Sequence, residues 1–377
     1  MTALTLRALN RALMDRQFLL RRTERTPLKV IRRLVALQAQ EPNWAYVGLW
    51  SRVRTFAQAE LTALLEDRQV VRSALLRSTQ HLAAADDFRR LRPLLQPALD
   101  RTASAPYFTR NSSGLDAASL VTEGLGLLAG GTLSRKELAR RLAERHPGRN
   151  GRILAGQVEL RTPLAHGTAT GAWGSWGNRS AVSVTPAAVW LGQPMVTASK
   201  DSARELIRRY LAAFGPAGVK DVQAWSGLTR LGEVIADMRA ELRRYSGPDG
   251  RELIDLADAE LPDPETPAPV RLLPAFDNAL LGHADRTRII SDEDRKRVMP
   301  GQAQVRPTFL VDGWVHGTWS LDAGTLRLTP FRPLRANDRA ALEQEADRLL
   351  QFVGEAPGDQ QSDPPSTVVA SGLTAGP

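Results

Sequence analysis

The segment Leu37-Gln38-Ala39-Gln40-Glu41-Pro42-Asn43-Trp44 holds two primary carboxamides two positions apart, just ahead of a proline. Pro42 disfavours helical backbone at Glu41, so a helix entering this stretch is expected to end near Gln38 to Gln40. Inside a helix, residues two apart point to nearly opposite sides; where a helix end runs into extended chain, they can converge. Each amide offers a donor and an acceptor, enough to hold a water molecule or to read a base edge. The same side chains could equally do no more than satisfy carbonyls at a helix end.

Other polar residues sit at suggestive spacings. Arg77, Thr79 and His81 alternate along a strand-like run and share one face, either lining a cleft or standing at a solvated edge. Asp277 and Asn278 follow an apolar run, with Asp285 and Arg286 close behind; substrate contact and structural ion pairing both fit. Asp312-Gly313, followed by Trp314 and His316, could form a hairpin that enters a nucleic-acid groove as a wedge, or one that joins the core.

Much chemistry is excluded. The chain has no cysteine, which removes disulfides, thiolate nucleophiles, zinc fingers and cysteine-ligated clusters. His81, His146, His166, His283 and His316 show no i, i+4 pairing and no HExxH pattern, so no metal site is expected. No GxGxxG follows a strand, and P-loop and GxSxG patterns are lacking; no cofactor is expected. No Lys is suggested near the Gln pair, so a Schiff-base step is not expected either.

The elements that position these residues follow from periodicity. Pro27 to Leu37 and Phe56 to Glu66 carry the apolar stripe of short helices, and Val70 to Ala85 reads as two β-runs broken at Arg77–Gln80. Asp86-Asp87 opens another helix. Two helices followed by a hairpin outline a winged helix, and the outline appears twice more. Leu115 to Leu128, Ser134 to His146 (with Glu137 completing a capping box) and about Ile153 to His166 are helical. The Gly/Trp-rich run Ala169 to Val184 suits a wing. A helix closed by Gly215, helices at about Val219–Trp225 and Leu228–Leu242, and a Pro-Asp-Gly hairpin make the third copy. A Pro-rich linker, the Asp312-Gly313 hairpin and a helix from Leu334 to Val353 complete the chain. The expected fold is α+β: winged-helix modules at 1–110, 111–198 and 199–262, a β-rich region with a final helix at 263–353, and a disordered tail at 354–377.

The LQAQ segment with its following Pro and Trp, the run Leu76-Arg77-Ser78-Thr79-Gln80-His81, and Leu272-Leu273-Pro274-Ala275-Phe276-Asp277 with Gly282 and Asp285-Arg286 resemble winged-helix DNA glycosylases of the AlkZ/YcaQ type. The resemblance spreads from about residue 5 to 350. It implies a concave DNA-binding body and a Gln-hydrophobic-Gln catalytic pair at Gln38 and Gln40. It also implies a monofunctional glycosylase that cleaves the N-glycosidic bond of cationic N7-alkylated purines. The Gln/Gln form is similar to that of family members that unhook interstrand crosslinks such as those of azinomycin B. Arg77, Thr79, His81, Asp277, Asn278, Arg286, Trp314 and His316 are the accompanying candidates for DNA contact.

Lys and Arg number 50 against 41 Asp and Glu, a net charge of +9, with only five Lys among the basic residues. Arg suits planar recognition of phosphate, although such a bias also arises from genome base composition. On three modules, the positive excess should line one face. Frequent charges near the N-terminus leave no signal peptide, and the charge-free run from Ser180 to Ser199 is broken by prolines. The expectation is a cytoplasmic monomer acting on double-stranded DNA with alkylated purines or interstrand crosslinks, without a membrane. A non-catalytic winged-helix transcriptional regulator is the competing reading; three modules in one chain are unusual for it, and it has no need of the Gln pair.

Overall fold

The structure, a computed structural model, describes residues 1–174, 182–301, 303–322 and 324–354, with the backbone of Thr367–Ala370. A short strand, β1 (Thr2–Ala3), and helix α1 (Leu6–Arg16), capped by the Thr5 side chain, lead into the first repeated unit. That unit runs α2 (Pro27–Arg33), β2 (Leu37–Gln38), α3 (Pro42–Trp50), α4 (Gln58–Glu66), β3 (Val70–Ala74) and β4 (Gln80–Ala84). Pro27 and Pro42 each open a helix, where the missing N–H costs nothing. The strands order β2-β4-β3, all antiparallel.

Helices α5 (Ala85–Ala103) and α6 (Pro106–Thr109) connect to a second unit with the same order of elements. It comprises α7 (Ala117–Leu128), β5 (Leu133–Ser134), α8 (Arg135–Arg145), α9 (Gly151–Arg161), β6 (Leu164–His166) and β7 (Ser183–Pro186). Its strands again order with the short one beside the last, β5-β7-β6. After α10 (Ala187–Leu191), a third unit holds α11 (Lys200–Phe214), α12 (Val219–Ser226), α13 (Leu231–Asp237), β8 (Leu242–Ser246) and β9 (Glu252–Leu256). Here a single bridge, Ala217 to Ile254, replaces the short strand, and β1 adds to β8 in parallel. Gly215 and Gly227 close α11 and α12 at φ +84° and +79°, backbone that glycine adopts readily.

The C-terminal region builds one sheet from β10 (Arg271–Leu273), β11 (Thr308–Val311), β12 (Trp314–Asp322), β13 (Thr325–Pro330) and β14 (Thr367–Ala370), in that order. Helices α14 (Asn278–Leu281) and α15 (Asp292–Val298) lie between β10 and β11, and α16 (Ala336–Gly354) follows β13. One hydrophobic core joins α1, α5 and the third unit; another joins the first unit to the C-terminal sheet and α16. The second unit keeps a small core of its own around Leu138, Leu142, Leu154 and Val158. No helix among the described residues is long and apolar enough to cross a membrane.

Three expectations are corrected. The helix ahead of the Gln pair stops at Arg33, because Val35 takes a left-handed conformation (φ +70°) that a helix cannot continue through. The helix expected over about Ile153 to His166 ends at Arg161, and Leu164–His166 is a strand paired with β7. Within the expected tail, Thr367–Ala370 pairs in parallel with β13. Residues 355–366 and 371–377 of that tail, and 175–181 of the expected wing, lie outside the described residues.

Candidate active site

Gln38 sits at the end of an edge strand, so its position is set by the backbone ladder. It pairs with His81 of β4, and the Ala39 N–H donates to the Gln80 carbonyl at 2.8 Å. Its side chain is held as well: Arg77 Nη2 donates to Gln38 Oε1 at 2.8 Å. Arg77 can reach because Arg77 and Ser78 occupy the two central positions of the β3–β4 turn, both left-handed (φ +51° and +57°). For non-glycine residues such backbone costs roughly 1–2 kcal/mol each. The turn is tied down by a 2.8 Å hydrogen bond between the Ser78 and Thr102 hydroxyls and by Arg77 Nη1 donating to the Trp225 carbonyl at 3.4 Å.

The electrostatics of this corner follow from burial. Desolvation, then repulsion from Arg286, pushes Arg77 down to about 10. His81 is pushed down to about 3, first by burial and then by Arg77. The Thr79 carbonyl accepts from His81 Nδ1 at 2.9 Å, leaving Nε2 of the neutral ring as an acceptor facing Arg77 Nη2 at 3.5 Å. Gln40 bends back, its Oε1 accepting from the Gln80 N–H at 3.4 Å. The Nε2 groups of Gln38 and Gln40 have no protein partner among the described residues.

Beside Gln38 lies a depression of about 10 Å³, bordered by Trp44, Gly48, Pro274, Asp277 and Asn278. A space of this size holds about one water molecule. Asp277 takes the structural option of the two open to it. Its carboxylate receives both Arg52 Nη1 and Nη2, at 2.9 and 2.8 Å, and caps α14 through the Ala279 N–H. Asn278 likewise donates inward, to the Ala36 carbonyl at 2.6 Å. Arg286 contacts the Met299 sulfur at 2.9 Å, while Asp285 pairs with Arg251 and Thr287.

Arg77, His81, Asp277 and Asn278 therefore gather around Gln38, and Thr79 supplies its carbonyl. Trp314 and His316 do not join them. The Asp312-Gly313 turn has the expected left-handed pair (φ +46° and +82°), but its tip is docked on α1. Arg7 and Arg11 pair with the Asp312 carboxylate, and Asn10 Nδ2 donates to the Gly313 carbonyl at 2.8 Å. A side chain at Gly313 would collide with Asn10, so this tip is not free to act as a wedge. The His316 ring faces the Arg332 carbonyl at 3.2 Å.

Sequence reasoning missed Arg72, Gln80, Glu159 and His166. Every residue of β3 is buried, Arg72 included, and nothing in a run of Val-Val-Arg-Ser-Ala says what an inward Arg would meet. Among the described residues, no group of three His, Asp or Glu could hold a metal ion. A larger cleft of about 650 Å³ between α2, α5 and α11 gathers Arg25, Lys29, Arg33 and Arg90, none of them ion-paired among the described residues.

Comparison with known proteins adds the chemistry. A family model described as DNA glycosylase AlkZ-like matches residues 31–352. A curated interstrand DNA cross-link repair glycosylase of Streptomyces sahachiroi is 27% identical over 360 residues, covering 90% of this chain and 94% of that protein. The solved structure of the Streptomyces sahachiroi DNA glycosylase AlkZ superposes with a TM-score of 0.78 at 25% identity, over 94% of this chain and 98% of that one. With a family match that takes in the Gln pair, the three repeated units from the last turn of α2 onward and most of α16, the chain belongs to the AlkZ-like family and is a DNA glycosylase.

Proposed function

We propose that this glycosylase hydrolyses the N-glycosidic bond of cationic N7-alkylated purines, with water positioned by Gln38 and Gln40, and that interstrand crosslinks are among its substrates. The observation that carries the reading is the Gln38 carboxamide, pinned through its oxygen by Arg77 at the edge of a water-sized depression. Among the described residues lining that depression the one carboxylate, Asp277, is bound on both oxygens by Arg52 and so is committed to an ion pair. A site without an acid suits a base that already carries positive charge, because alkylation at N7 makes it a good leaving group. What remains is to hold water against C1′ as an oxocarbenium ion develops, a positioning effect that can contribute several kcal/mol.

The three repeated units read as winged-helix modules, spanning about 1–110, 111–198 and 199–262. The order of helix, short strand, two helices and hairpin in the first two units, and the same order in the third with a single bridge in place of the short strand, supports this. The depression, with room for about one water molecule and none for a base, favours a lesion approached in place over one rotated into a closed pocket, which suits a crosslink tethered to both strands. The cationic cleft lined by Arg25, Lys29, Arg33 and Arg90 suits phosphates of the flanking duplex.

The test is single-turnover release from duplexes carrying N7-methylguanine or an N7-linked interstrand crosslink, read by alkaline cleavage at the abasic site. Gln38→Ala/Gln40→Ala is expected to lose about 10³-fold in rate, some 4 kcal/mol of barrier. Release at the wild-type rate by the double variant would refute the assignment. A wild-type enzyme active on N7-methylguanine but inert on the crosslink would confine the function to small adducts.

A further inference from the structure

The backbone of Ala39 and Gln40 is gripped by one side chain. Arg72 Nε donates to the Ala39 carbonyl at 2.9 Å, and Arg72 Nη2 donates to the Gln40 carbonyl at 3.1 Å. Both carbonyls lie beyond the last residue of β2, where the Ala39 N–H to Gln80 carbonyl bond is the backbone tie to β4. The guanidinium also contacts His166 of the second unit, Nη1 to Nδ1, at 2.8 Å.

The chemistry of the partners sets every proton. Arg is only a donor, so His166 Nδ1 accepts and the ring proton sits on Nε2. That proton is donated to Glu159 Oε1 at 2.8 Å. The same oxygen accepts from Gln80 Nε2 at 2.8 Å, and Arg135 holds the other carboxylate oxygen at 2.9 Å. Burial opposes the Glu159 charge, but Arg135 and His166 outweigh it and keep the carboxyl well below its ordinary range. Gln80 closes the circuit, since its backbone carries the hydrogen bonds to Ala39 and to the Gln40 side chain. The result is a buried Arg–His–Glu chain running from the second unit into the active-site strand of the first.

We infer that Arg72 is a positioning residue for the Gln pair, aimed by a neutral His166 and an ionised Glu159 supplied by the second unit. The inference rests on the proposed role of Gln38 and Gln40. A planar fork with three directed donors serves two carbonyls and an imidazole at once; a Lys ammonium at the end of a flexible stem does not reproduce that geometry. Hydrogen-bonding partners that orient metal ligands contribute about 10–100-fold in activity, and the same order is expected of Arg72.

The experiment compares Arg72→Gln, Arg72→Lys, His166→Gln and the Arg72→Gln/His166→Gln double variant with wild type and Gln38→Ala/Gln40→Ala. Three quantities are measured on the full-length enzyme: thermal unfolding, affinity for N7-methylguanine duplex by anisotropy, and single-turnover release. Arg72→Gln and Arg72→Lys are expected to release base about 10–100-fold more slowly, and His166→Gln about 10-fold more slowly, with affinity within about threefold of wild type. The double variant is expected to be no slower than Arg72→Gln, because the two act as one unit. Should Arg72→Gln fail to fold, His166→Gln and Arg72→Lys carry the test. Wild-type release by folded Arg72 and His166 variants, with Gln38→Ala/Gln40→Ala slow, would overturn the inference alone. Losses that follow unfolding or DNA affinity in every variant would assign Arg72 a scaffold role and also overturn it. Wild-type release by Gln38→Ala/Gln40→Ala would instead remove the functional reading beneath it.

Discussion

The first and second repeated units have the same order of elements and the same strand order, yet they differ at the same two places. In the second, β5 runs directly into α8, and Ser134 caps that helix by accepting from the Glu137 N–H at 3.0 Å. In the first, Ala39, Gln40 and Glu41 intervene between β2 and α3, and this added length carries Gln40, two positions after Gln38 at the end of the strand. The hairpins diverge as well. The first closes in a short turn that sends Arg77 back to Gln38; the second opens into a long connection whose Trp173 packs on Tyr46 of α3. One fold unit thus carries the candidate site and the other contacts it, and the difference lies in connections, where function commonly resides.

The separateness of the second unit can be broken at Gly151. A Cβ there would fall on the Ala139 carbonyl oxygen, where α8 and α9 make close contact. Gly151→Ala is expected to destabilise the second unit by about 1–3 kcal/mol, through a forced shift of one helix against the other. Hydrogen exchange should show the loss over 117–186, where the unit has its own small core, before the first unit. Uniform loss across the chain would mean that the two units do not unfold separately.

The short turn of the first unit is tested at its cation. Arg77→Met keeps the apolar stem but leaves Gln38 Oε1 without its donor, and release of N7-methylguanine is expected to slow by about tenfold, some 1.4 kcal/mol. An unchanged rate would show that the ladder alone holds Gln38.

The smallest effect concerns pH. With His81 held at about 3 and Arg77 at about 10, neither titrates near neutrality, so single-turnover release should vary by less than about threefold between pH 6 and 9. A bell-shaped profile centred in that window would indicate a general acid or base that neutral amides do not provide. Stability behaves differently. His81, His166 and His283 are all lowered by burial, so below about pH 6.5 the unfolded chain binds protons that the native chain refuses. Unfolding free energy should therefore fall as pH drops from about 6.5 toward 3, and His81→Gln should flatten part of that fall in chemical denaturation.

Much of this was legible along the chain. Caps, prolines and terminal glycines act over four or five residues, so α4, α11 and the β8–β9 and β11–β12 hairpins fall close to where local pattern puts them. The Asp312-Gly313 turn has its expected conformation for the same reason. Its docking on α1 was not legible, because the contacts with Arg7, Asn10 and Arg11 cross some three hundred residues of chain. Asp277 shows the same limit: only the folded chain brings Arg52 to it.

By itself, the sequence determined which side chains could do chemistry: two amides ahead of a proline, no cysteine, no metal-ligand spacing, and a family resemblance carried by those residues. Tertiary structure decided how they are held. The helix before Gln38 ends early, at Arg33 ahead of the left-handed Val35, and a strand takes its place; Arg77 holds the Gln38 side chain while Arg72 holds the backbone of Ala39 and Gln40. The reason is physical. Type and spacing are local properties, whereas the partner of a buried guanidinium depends on which distant segments the hydrophobic cores bring within hydrogen-bond reach.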